Sequence, residues 1–256
     1  MQNINRKIGI IGAMPEETKD IIALLENRKK LQIGIRNYYL GAINKIEAAV
    51  VMSRIGKVSA AAAAATLIHR FNVSEIIFTG CAGALNPSVK IGDVVIGRRF
   101  IQHDIDEAML LPREGNIPML GGIFLEADAK QIKTAASAIN KMLEDKSIFA
   151  ADNFKKLNIK FPSLFIGDIA SGDIFVCKDE QKRALSSKLP SVLCVEMEGA
   201  SVAQVCYEHN MPFTVIRVIS DSADNKSIID FDGFAKNILN IYSANIIKNL
   251  FDIYTR

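Results

Sequence analysis

Arg217 stands inside Phe-Thr-Val-Ile-Arg-Val-Ile, residues 213–219, where an unpaired guanidinium would be expensive to bury. It needs an anionic partner or a site. Just downstream, Ser220-Asp221-Ser222-Ala223-Asp224 falls where a strand should end, the position at which open α/β sheets place their ligands; a turn or helix cap is the competing reading. Glu196-Met197-Glu198-Gly199 sits between an apolar run and an amphipathic one. Its two acids could complement a helix N-terminus or reach the hydroxyls of a sugar. Glu16 and Glu17, after Pro15, pose the same choice. Carboxylates at several such junctions are the equipment of general acid–base chemistry.

His103-Asp104-Ile105-Asp106 has the residue types of a metal site, but no second histidine or cysteine stands at ligand spacing, so structural hydrogen bonding is expected and no metal. His69 and His209 fall toward helix ends, where positive charge is favoured. Gly9-Ile-Ile-Gly12 and Gly80-Cys-Ala-Gly83 lack the glycine patterns of dinucleotide and triphosphate loops.

The elements that must hold these residues alternate. A strand over Ile8–Gly12 is followed by a helix burying Ile21, Ile22, Leu24 and Leu25, with Pro15 in its first turn. Extended segments are predicted near 31–40 and 46–52, an Ala-rich helix over 57–71, and a buried strand over Glu75–Thr79. Further strands fall at Asp93–Ile96, Ser163–Ala170, Val192–Val195 and Phe213–Ile219, between helices near 128–145, 178–188, 197–209 and 231–252. Strands without polar alternation suit a sheet covered on both faces. The expected fold is therefore α/β, helices flanking a largely parallel or mixed sheet. Between 101 and 127 the periodicity fails in an apolar stretch rich in Pro and Gly, which either covers a ligand, meets another subunit or connects through the core.

The chain has 256 residues, 49% of them hydrophobic and 23% charged, and no internal linker divides it, so one globular domain over 1–256 is expected. Its 31 Lys+Arg against 28 Asp+Glu form no like-charged block, and nothing calls for nucleic acid. The four cysteines make no C-x-x-C pair and are too few for a disulfide framework. No run spans a bilayer and the N-terminus is unlike a signal peptide, so a cytoplasmic location is expected.

In order along the chain, Ile8-Gly-Ile-Ile-Gly-Ala-Met-Pro-Glu-Glu17, Ile55-Gly-Lys-Val58, Thr79-Gly-Cys-Ala-Gly83, Gly92-Asp-Val-Val95, His103-Asp-Ile-Asp106, Ala170-Ser-Gly-Asp173, Val195-Glu-Met-Glu-Gly-Ala200 and Ile219-Ser-Asp-Ser-Ala-Asp224 resemble the bacterial 5′-methylthioadenosine/S-adenosylhomocysteine nucleosidases of the purine and uridine phosphorylase superfamily. The resemblance covers nearly the whole chain. It implies a single-domain three-layer sandwich with a twisted mixed central sheet flanked by helices. It also implies hydrolysis of the N-glycosidic bond of 5′-thio-substituted adenosines, with 5′-deoxyadenosine a further candidate. No cofactor is implied.

By the same resemblance Asp221 is the general acid that protonates adenine N7, Glu17 holds and deprotonates the attacking water, and Glu198 bonds the ribose hydroxyls. Ser220 orients Asp221, Arg217 contacts the water and sugar region, and Met197 packs on ribose. Phe175 stacks on adenine while the backbone of Ile174 and Val176 bonds its edge. Cys81, Ala82 and Gly83 complete the substrate contacts, with Cys81 standing where some relatives have Ser. Met14, Ile55 and Phe234 fall on the pocket or its lid. Leu110 and Pro118 match a loop contributed by a neighbouring subunit, which implies a homodimer.

The rivals are a purine nucleoside phosphorylase, whose phosphate nucleophile needs cations, and a futalosine-type nucleosidase differing only in the 5′ pocket. In phosphorylase relatives an arginine matches Phe78. A noncatalytic nucleoside-binding protein that kept the fold is the rival from another class.

Overall fold

The computed structural model describes residues 6–105, 124–150, 152–157, 159 and 161–255. Leu110 and Pro118, with Asp106, lie outside the described residues. Ten strands form a single mixed sheet. Strand β1 (Lys7–Gly12) runs parallel to β4 (Ile46–Met52) on one side and to β5 (Glu75–Ala84) on the other. Beyond β4 come the antiparallel strands β3 (Arg36–Ile43) and β2 (Glu26–Ile33), the latter an exposed edge.

On the other side the sheet curls. Strand β5 pairs with both β10 (Phe213–Asp221) and β9 (Val192–Glu196). From β10 the ladder continues through β6 (Val94–Gln102) and β8 (Leu164–Ser171) back to β9, while the two-residue β7 (Leu125–Glu126) adds to β6. These five long strands close on themselves, so half of the sheet is a small barrel and half an open extension.

Helices cover both faces, which explains the unalternated apolar strands. On one face α2 (Lys57–Phe71) and α6 (Gly199–Glu208) pack Ala60, Ala63, Ala64, Ala203 and Cys206 against Val51, Ile76 and Val215. Small side chains let these two helices approach the sheet closely. On the opposite face α1 (Pro15–Ala23), α3 (Ala129–Glu144) and the C-terminal α8 (Asn240–Tyr254) bury Ile21, Ile139, Ile247 and Phe251 against Ile10, Val50 and Ile216. The shorter α4 (Asp152–Lys156) and α5 (Asp179–Lys188) fill the periphery, and α7 (Ser227–Phe234) enters α8 through a π-helical segment at Ala235–Leu239.

Three expectations need correction. Residues 31–40 are not one extended segment but parts of two strands turned at Gly34, whose φ of +57° suits glycine. Strand β5 does not stop at Thr79; it runs on through Gly80-Cys81-Ala82-Gly83 to Ala84. Strand β6 continues past Ile96 to Gln102 with a register shift between Gly97 and Arg99. The β5 extension is rich in small residues that read as loop, and in both strands the partner strands decide the outcome.

Candidate active site

A cavity of about 350 Å³ opens at the carboxyl ends of β1, β5 and β10, walled on its far side by the β9–α6 junction. It is lined by Ala13, Met14 and Glu17 from the first junction, by Cys81, Ala82 and Gly83 from β5, and by Glu196, Met197, Glu198, Ser220 and Asp221. Ile55, Phe175, Val195 and Phe231 complete it. Residues far apart in sequence thus meet because parallel strands all end on the same side.

Glu17 occupies the third position of α1. Its Oε2 accepts from the backbone N–H of Ala13 and, at 3.0 Å, from that of Met14, as in a capping box. Its Oε1 accepts instead from the N–H of Cys81 at 3.3 Å and lies 3.6 Å from the Cys81 thiol. Burial pushes this carboxyl above its ordinary value, the Arg217 charge and the backbone N–H groups limiting the rise, which moves it toward the range of a base at neutral pH. Burial and the neighbouring Glu17 charge drive the Cys81 thiol well up, so it stays a protonated donor.

Arg217 is 1% exposed. Its Nη2 and Nε donate to Glu196 Oε2 at 2.6 and 3.1 Å, and its guanidinium lies 4.0 Å over the Phe78 ring. The buried cation thus has an anion and an aromatic face. Glu196 also accepts from the N–H groups of Glu198 and Gly199 and from Ser171 Oγ, so it complements the helix N-terminus and the arginine together. Gly80 separates the two reactive elements, since a Cβ there would fall 2.7 Å from Glu17 Oε1 and 3.1 Å from Arg217 Nη1.

Glu198 accepts from the N–H of Gly56 at 2.8 Å. Burial, reinforced by the adjacent Glu196 charge and opposed by Arg217, pushes its carboxyl up to about 8. Across the cavity Asp221 Oδ2 accepts from Ser220 Oγ and Oδ1 from the N–H of Ala223, both at 2.8 Å. A register shift between Ile219 and Asp221 sets the aspartate off the β10 ladder. Ala223, buried at φ +52°, holds a left-handed conformation that presents its N–H to this carboxylate.

Most residues singled out from the sequence therefore share one cavity, but not all. Arg217 lies beneath it rather than in its wall. Phe175 lines it and its ring stands 5.7 Å from that of Phe231, whereas Val176 is buried in a small cluster and Ile174 is half-exposed, neither being among the lining residues. Phe234 is fully buried near Tyr242, and Phe231, one turn earlier on α7, lines the cavity instead. The three-residue offset could not be read from a run carrying apolar residues on several sides.

In the His103-Asp104 segment the expected structural hydrogen bonding falls on Asp104, which accepts from Lys57 Nζ and from the N–H of Asp173. His103 Nε2 has no partner among the described residues, and burial lowers its basicity. No cluster of three or more metal-ligating side chains occurs among the described residues. Ser171 and Phe231 are the site residues that sequence reasoning missed; for Glu196 it gave the helix N-terminus but not the pairing with Arg217. An anionic partner for Arg217 was demanded by its apolar surroundings, but only the β8–β9–barrel closure shows which acid supplies it.

A sequence model described as the Phosphorylase superfamily matches residues 7–251, and the chain belongs to that superfamily. It is similar to the 5′-methylthioadenosine/S-adenosylhomocysteine nucleosidase of Staphylococcus haemolyticus, 33% identical over 96% of this chain and 99% of the relative. It is also similar to the aminodeoxyfutalosine nucleosidase of Campylobacter jejuni, 35% identical over 95% and 97%. The crystal structure of the Neisseria meningitidis 5′-methylthioadenosine/S-adenosylhomocysteine nucleosidase with methylthio-immucillin-A aligns with a TM-score of 0.86 at 32% identity, covering 97% of this chain and 99% of that one.

Proposed function

We propose that this protein hydrolyses the N-glycosidic bond of 5′-methylthioadenosine and S-adenosylhomocysteine, giving adenine and the 5′-thio-substituted ribose. The observation that carries the choice of water over phosphate is the charge of the cavity. Its described lining holds Glu17, Glu196, Glu198 and Asp221 and neither lysine nor arginine. Among the described residues a phosphate dianion has no counter-charge there, because Arg217 is committed to Glu196 and Phe78 lies under its guanidinium.

In this reading adenine enters beside Phe175 and Asp221 delivers a proton to N7, so that a neutral base departs. The sugar becomes oxocarbenium-like as it leaves, and carboxylates around it stabilise the positive charge. Glu17 takes the proton of the attacking water, with the Cys81 thiol and N–H orienting its Oε1. Glu198 accepts from the ribose hydroxyls, and Met197 and Met14 pack against the sugar. Ile174 and Val176 serve the adenine edge through backbone groups. The test is adenine release by the purified protein in phosphate-free buffer.

A second reading, a futalosine-type nucleosidase, is favoured by the 35% identity to the Campylobacter jejuni protein. Competition between 5′-methylthioadenosine and aminodeoxyfutalosine separates the two, since both share the base and ribose pockets. The proposal includes a homodimer. Its support is the exposure of Ile55 (56%) and Val58 (81%) beside the cavity mouth, apolar surface that a second copy would cover. It also includes a cytoplasmic location, supported by four free cysteines; no helix among the described residues is long and apolar enough to cross a membrane.

A further inference from the structure

Lys57 opens α2, and every polar group it offers is tied to a different segment of the chain. Its Nζ reaches Asp104 Oδ1 at 2.5 Å, in the segment after β6. Its N–H donates to Asp173 Oδ1 at 2.8 Å, in the segment after β8. Its carbonyl accepts from Ser201 Oγ of α6 at 2.9 Å. Asp104 closes the ring, its Oδ2 accepting from the N–H of Asp173 at 2.9 Å. The Lys57 and Asp104 side chains are 16% and 17% exposed, so this ion pair is shielded from much of the screening that weakens surface pairs.

The residue before Lys57 is Gly56, whose N–H is the hydrogen-bond donor to Glu198. Gly56 sits at φ +99°, and a Cβ on it would fall 3.1 Å from Asp173 Oδ1. The backbone bends there with no side chain because the clasp occupies that space. The direction of the Gly56 N–H is consequently set by how Lys57 is held. We propose that Lys57, Asp104 and Asp173 are positioning residues which aim the Gly56 N–H at Glu198 and thereby fix the carboxylate assigned above to the ribose hydroxyls. Only that last assignment rests on the nucleosidase reading.

The experiment compares Lys57→Met and Asp173→Asn with the unsubstituted protein, alone and combined with Glu198→Gln. Kinetics on 5′-methylthioadenosine are set against inhibition by adenine, which carries no ribose. The expected result is a loss of about tenfold in kcat/KM, the scale of one charge-assisted hydrogen bond, with adenine inhibition altered less than about twofold. In the Glu198→Gln background the second substitution should cost less than about twofold, as coupled residues do. Equal losses for nucleoside and adenine, or the same loss in both backgrounds, would overturn the proposal and leave a merely structural clasp.

The Gly56 amide resonance, followed across pH, gives a readout independent of turnover. It should respond to Glu198 ionisation in the unsubstituted protein and cease to do so in Lys57→Met; an unchanged response overturns the clasp. If no thio-nucleoside is cleaved by the unsubstituted protein, the nucleosidase reading fails and the amide result alone decides the clasp.

Discussion

Asp221 and Glu198 carry opposite demands on a proton. In the proposed reaction Asp221 gives one up, and Ser220 Oγ and the Ala223 N–H donate to its two oxygens. Asp221→Asn keeps the shape and part of the hydrogen bonding but has no carboxylic proton. Adenine release should fall about 10²- to 10⁴-fold while an unreactive substrate analogue still binds the folded variant; near-normal turnover would reduce Asp221 to a turn residue. Burial and the adjacent Glu196 charge instead push the Glu198 carboxyl up to about 8, against its ordinary value of 4.5 in an unfolded chain. A raised carboxyl adds stability that is complete below 4.5 and lost as pH rises through about 8. Denaturation of the unsubstituted protein and Glu198→Gln across that window should show the former's relative stability declining with pH. A constant difference would argue that Glu198 is ionised throughout.

At the scale of elements the sequence was legible where local pattern and partner agree. Ile8–Gly12 and Phe213–Ile219 read as strands because β-branched runs covered on both faces have little else to do. Gly80-Cys81-Ala82-Gly83 was opaque because small residues carry no strand propensity. They extend β5 only because β10 and β9 pair with them. Their smallness is what the site uses, since the Gly80 and Gly83 backbones approach Glu17 Oε1 and Asp221 Oδ1. Gly80→Ala places a methyl 2.7 Å from Glu17 Oε1 and should displace that carboxylate. Kinetics should show kcat falling by more than about tenfold, since misplacing a catalytic group by ~1 Å costs about 10², with adenine affinity nearly kept. An unaffected kcat would mean that Glu17 does not need its present position.

For the molecule as a whole, the residues' own pattern left Glu17, Glu198 and Asp221 each readable as a cap or turn, and only the family resemblance implied that they converge; parallel strand ends bring them to one cavity. Neither the π-helical joint after α7 nor the presence of Phe231 rather than Phe234 on that cavity left a sequence signature. The proposed homodimer would cover Val58, which is 81% exposed. Sedimentation should give twice 28.1 kDa, and Val58→Glu should shift the protein toward monomer; a monomer at all concentrations would contradict the dimer.

The most direct test of the nucleosidase account is the product formed from 5′-methylthioadenosine by purified protein, with phosphate absent and then added. The carboxylate-lined cavity, with the neighbouring Arg217 committed to Glu196, predicts adenine and free 5-methylthioribose in phosphate-free buffer, with no gain on adding phosphate. A strict phosphate requirement, with a ribose 1-phosphate as product, would contradict it.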